Sequence, residues 1–94
     1  MSAQLLTQIG AAATHFRLGE ISMASEVMIA VVDGIQAYLT ADGDPDNARA
    51  FMPALEMIVD AQQRGDFLLV ADLLDYEVGP LVNATIGSQG PKSA

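Results

Sequence analysis

The sequence predicts an all-α fold, a four-helix bundle-like domain with short connections, on three observations. Apolar residues recur three and four positions apart through most of the chain, the period of a helix with one buried face. No stretch of useful length alternates apolar and polar residues as a strand does. Breaking signals fall at three places: Gly19, the run TADGDPDN at 40–47, and Gly65-Asp66. Four helices result, without an internal repeat.

The first helix is expected over about Ser2 to Leu18, with Leu5, Ile9, Ala12, Ala13 and Phe16 on one face. Gly10 and the run Ala11 to Ala13 are small, so a neighbouring helix is expected to approach closely there. The second, about Glu20 to Thr40, has a broader apolar arc of Met23, Val27, Met28, Val31, Ile35 and Tyr38, with Ile21, Val32 and Leu39 at its margin. Ser22, Ser25, Glu26, Asp33 and Gln36 make its polar face, which Ile29 interrupts; a single exposed Ile is ordinary.

Several residues can start the third helix: Asp44 before Pro45, or Asp46 and Asn47 just after it, can each satisfy free backbone N–H groups. Its core face reads Phe51, Leu55, Ile58, Val59 and Gln62. Pro53 conflicts with that face, because beyond the first turn a proline removes a donor and crowds the preceding turn, so a kink or a late start is expected. Arg64-Gly65-Asp66 spells a tripeptide that adhesion receptors read in some extracellular proteins. Here it reads as punctuation: a cation at a helix C-terminus, a left-handed glycine, and an N-cap for the next helix.

The fourth helix, Phe67 to about Ala84, is apolar on two faces. Phe67, Val70, Ala71, Leu74, Val78 and Leu81 form one, and Leu69, Leu73, Tyr76 and Pro80 form a second strip, set off by Asp72 and Asp75 on one side and Glu77 on the other. Either a helix of the same chain covers the second strip or a second molecule does. The intermolecular option predicts a homodimer joined through Leu69, Leu73, Tyr76 and Pro80 together with Met28 and Val32 of the second helix, rimmed by the acids Asp72, Asp75 and Glu77. Pro80 is expected to end the helix near Gly79 or kink it, with a short continuation packing back. One domain is expected over residues 1–86 and a flexible tail over 87–94.

The stretch ADLLDYEVGPLV, residues 71–82, resembles an ADLLEYEL-x-P-L pattern found in small uncharacterised bacterial helical proteins, some associated with motility or surface modification. Asp72, Asp75, Tyr76 and Glu77 are the matching positions. The resemblance covers about a dozen residues and implies a rim for recognising a partner, with no catalytic assignment.

Composition narrows the function classes. The chain has 94 residues, 51% of them hydrophobic, and 12 Asp and Glu against 4 Lys and Arg, for a net charge of −8. So apolar a chain is not expected to be disordered, and a small domain with that much apolar surface is expected to share some of it with a partner. Nucleic acid and anionic membrane surfaces call for Lys and Arg and are not expected as partners. No apolar run reaches the roughly 18 residues of a membrane-spanning helix, and the N-terminus lacks a basic leader, so a cytoplasmic location is expected.

No cofactor, metal or catalytic residue is expected. Cysteine is absent and His15 is the only imidazole, so one chain assembles neither a zinc tetrad nor a thiol nucleophile. His15 suits the last turn of the first helix instead. DGDPDN has carboxylates at 42, 44 and 46 like a calcium loop, but Asn47 stands where glycine is needed and Pro53 where a bidentate glutamate is needed. Met23, Met28 and Met52 can line an adaptable groove or fill the core. The expectation that follows is a non-enzymatic protein–protein interaction module: a homodimeric acidic helical adaptor or export-chaperone-like protein with an amphipathic-helix client. A structural or regulatory scaffold without a client groove is the alternative, and a metal-dependent enzyme the third reading.

Overall fold

A computed structural model describes residues 2–85, the side chains of residues 2 and 42 excepted; the expected tail at 87–94 lies outside them. The described chain is all helical: α1 (Ser2–Arg17), α2 (Ile21–Asp42), α3 (Pro45–Gln63), α4 (Phe67–Leu73) and α5 (Gly79–Thr85), with one π-helical turn, Leu74–Val78, joining the last two into a single rod. The bundle-like fold expected from the sequence is therefore present.

Local chemistry sets the helix ends. Gly19, Gly43 and Gly65 hold φ of 78°, 71° and 74°. At Gly65 the left-handed turn lets Gly65 N–H donate to Gln62 O and Asp66 N–H donate to Ala61 O at 2.8 Å, closing the end of α3. Asp66 then accepts from Leu69 N–H and caps α4, and Arg64 pairs with Asp60, so the Arg-Gly-Asp tripeptide serves two helix ends. Asp44, of the three candidates, caps α3 by accepting from Asp46 N–H at 2.9 Å, with Pro45 in the first turn.

Both internal prolines are absorbed without ending a helix. α3 runs unbroken through Pro53, which lies on an exposed side where water can satisfy the carbonyl it frees. Pro80 follows the π turn, in which Gly79 N–H donates to Leu74 O, five residues back. The widened turn carries one extra residue, which accommodates the missing donor and ring of Pro80 without a break. It also resets the helix phase, so Leu74, Val78 and Val82, four apart each time, all lie fully buried, while Leu81, expected in the core, is only partly so.

A Cβ on Gly79 would stand 3.3 Å from Leu74 O, the acceptor that defines this turn. Gly79→Ala is therefore expected to destabilise by about 1 kcal/mol rather than give the usual gain of alanine in a helix. A urea midpoint at or above the wild-type value would count against this role for the turn.

α1 lies at the centre, packed along α2 on one side and along α4, the π turn and α5 on the other; α3 packs against α4. Leu5, Ile9, Ala12, Ala13 and Phe16 of α1 are buried as expected, and Phe16 stacks on Phe67 with centroids 5.7 Å apart. The close approach of α1 and α2 occurs where a Cβ on Gly34 would lie 3.2 Å from Leu5 Cδ1; at Gly10 the space is open. Two expected core residues face outward. Met23 gives its place to Ala24, and Val59 gives its place to Ala54 and Ala61, because α2 and α3 are each turned slightly from the phase their large residues suggest. No polar side chain is buried among the described residues.

Candidate functional site

The turn at Gly43–Asp44 makes α2 and α3 antiparallel neighbours, yet α2 spends its packing on α1 and α3 spends its packing on α4. The hairpin stays open. A groove of about 450 Å³ runs between the two helices, lined by Ser25, Met28, Ile29, Val32 and Asp33 from α2 and by Leu55, Ile58, Val59 and Gln62 from α3. On each side the lining residues are spaced three and four apart, as one face of a helix requires.

Met28 and Ile58 are buried and form the floor, whereas Ile29 at 63% and Val59 at 52% exposure are the walls. The apolar strip continues on α3 across Leu55 and Val59 to Met52, beside Glu56 and Asp60. The walls keep much of their apolar surface in water, although a helix face this apolar is normally covered.

The side chains expected at a dimer interface fall on different surfaces. Met28 and Val32 line the groove. Leu73 is 5% exposed and packs in the core of its own chain, so its burial needs no second molecule; the phase reset at the π turn puts Leu73 and Leu74 inside together. Leu69 is half-buried beside Pro53 and Met57. Tyr76 and Pro80 are exposed on the rod, away from the groove residues.

The acidic rim has an intramolecular task. Arg17 Nη1 donates to Asp75 Oδ2 at 2.6 Å and Nη2 donates to Asp72 Oδ1 at 3.1 Å, tying the end of α1 to both ends of the α4–π junction. The hydrogen bond that Arg17 donates to Asp75, then the one it donates to Asp72, pushes the guanidinium pKa up, so its charge is fixed across the working pH range. Glu77 is exposed. Arg17→Met is expected to lower the thermal midpoint at low salt, with the difference narrowing as salt rises, because exposed ion pairs are screened. A salt-independent difference would assign the loss to packing instead.

Sequence reading missed Arg17 and Ile29. The partners of Arg17 lie more than fifty positions away, beyond any local pattern. Ile29 did carry a signal, an apolar residue in the middle of a polar face, which was read as ordinary exposure.

Other candidate groups are used structurally. His15 Nδ1 lies 2.6 Å from Glu20 Oε1 across the first turn, Asp44 caps α3, and Asp46 holds Arg49. Among the described residues no three His, Cys, Asp or Glu side chains gather in a form that holds a metal ion, and no helix is long and apolar enough to cross a membrane. Comparison with protein-family models, with curated proteins and with solved structures finds no match to this chain.

Proposed function

We propose that this protein is a non-enzymatic interaction module, an adaptor or export-chaperone-like protein, whose α2–α3 groove seats an amphipathic helix of another protein. One observation carries the reading: the hairpin of α2 and α3 is open along an apolar groove with Ile29 and Val59 standing in water on opposite walls. The groove spans Ser25 to Asp33 on one side and Leu55 to Gln62 on the other, a length that matches about two turns of a helix at 1.5 Å per residue. A helix laid there meets side chains spaced three and four apart on both walls, the geometry in which helix-in-groove recognition works. Met28 on the floor has a flexible thioether that adapts to differing apolar side chains, as a client-binding surface requires.

A fluorescently labelled synthetic helix of about 18 residues, long enough to hold its structure with a side-chain staple, tests the reading by anisotropy titration against the full chain. Saturable one-to-one binding of a helix with a Leu face, and none of a scrambled control, is the expected result. Absence of binding overturns the reading. Blockade of binding by a dimer that forms at high micromolar concentration replaces it with the scaffold in which a second copy occupies the groove.

A further inference from the structure

The geometry points to a partner helix of basic amphipathic type, carrying Lys or Arg along the margins of its apolar face, as the occupant of the α2–α3 groove. This rests on the groove being a helix-binding site and adds what its surroundings select. On the α2 wall Glu26 and Asp33 stand one turn before and one turn after Ile29, and both are exposed. On the α3 wall exposed Glu56 stands one turn before Val59, and Asp60, its next neighbour in the chain, lines the same surface beside Met52 and Val59. Apolar in the middle and acidic on both sides, the groove presents the complement of a helix with a Leu-rich face and basic shoulders.

The acids on the walls are not balanced by the chain's own described cations, each of which is engaged. Arg17 is held by Asp72 and Asp75, Arg49 by Asp46, and Arg64 by Asp60 and Asp66. Asp60 therefore shares a guanidinium, while Glu26, Asp33 and Glu56 face no cation among the described residues. A second copy is a poor occupant for the same reason. Its helices bring their own acids from a chain of net charge −8, so seating one in the groove sets carboxylates against carboxylates. A helix from another protein with basic margins relieves that repulsion, and the attraction steers it to the groove from a distance.

Two stapled helices with the same Leu face, one with Lys and one with Glu at its margins, separate the contributions. The Lys helix is expected to bind the full chain about tenfold tighter at ~50 mM salt, the ratio falling to about twofold at ~500 mM as screening shortens the reach of the rim charges. Asp33→Asn with Glu56→Gln is expected to reduce the low-salt preference to about threefold while leaving the salt-independent part of the affinity in place. Equal affinities at low salt, with both helices bound, overturn the basic-partner inference and leave the groove as a binding site. Failure of both to bind overturns the groove reading itself.

Discussion

Leu73→Asp unfolds this protein instead of separating two copies of it. Leu73 is 5% exposed and sits in the single-chain core next to fully buried Leu74, so an aspartate there loses the leucine's packing and takes a charge out of water with no cation beside it. Removing a buried leucine alone costs about 2–5 kcal/mol, and a domain of this size has a total stability of roughly 5–14 kcal/mol. The expected outcome is a variant with most of its helical circular dichroism lost or its urea midpoint lowered by more than half. Tyr76→Asp is the matched control: at 71% exposure it is expected to stay within about 0.5 kcal/mol of wild type. A Leu73→Asp chain that keeps its helicity and merely changes its elution volume would place Leu73 between molecules.

The opposite pattern is expected at the groove. Ile29→Gln with Val59→Gln replaces the two exposed apolar walls by polar residues that favour helix and carry no charge, so the rim electrostatics are undisturbed. Both side chains already stand mostly in water, and stability is expected to move by under about 1 kcal/mol for the pair. Binding is a different matter. Covering each wall residue is worth about 1–1.5 kcal/mol for the part of its surface still exposed, and each 1.4 kcal/mol is tenfold in affinity, so the pair is expected to lose roughly thirty- to a hundred-and-fortyfold. Anisotropy with the Lys-margined helix, alongside a urea titration, reads both quantities. A double variant that binds as wild type does would remove Ile29 and Val59 from the site.

The fold was legible because its determinants are local. Asp66 after Gly65, and Asp44 before Pro45, each satisfy backbone groups a few residues away, so a short window of sequence contains the whole interaction. The α1 face could be read from period alone, since Leu5, Ile9, Ala12, Ala13 and Phe16 admit one helical phase. Pro80 was harder. Its conflict with the helix was plain from the sequence, but the remedy, a π turn ending on Gly79, depends on Val82 gaining a buried position that only the packed structure defines.

The site was less legible than the fold. Two apolar strips on the fourth helix implied surface to spare; Leu73 is buried within the chain while Leu68 and Tyr76 stay exposed, and further uncovered apolar surface stands on α2 and α3 at Ile29 and Val59. Whether two neighbouring helices close on each other is decided by what each packs against on its other side, and no periodicity encodes that. The expected rim acids Asp72 and Asp75 pair with Arg17 on another helix, and pairing across that distance is a property of the tertiary structure.

The most direct test is a methyl-resolved NMR titration of the isotope-labelled full chain with the Lys-margined stapled helix. If α2 and α3 form the receptor, the methyl signals of Met28, Ile29, Val32, Leu55 and Val59 shift together along one saturable curve, while those of Leu74, Val78 and Val82 in the core stay in place. Saturable binding with these five signals unmoved, or with the shifts centred on Leu68 and Leu69, would put the partner on another face of the molecule.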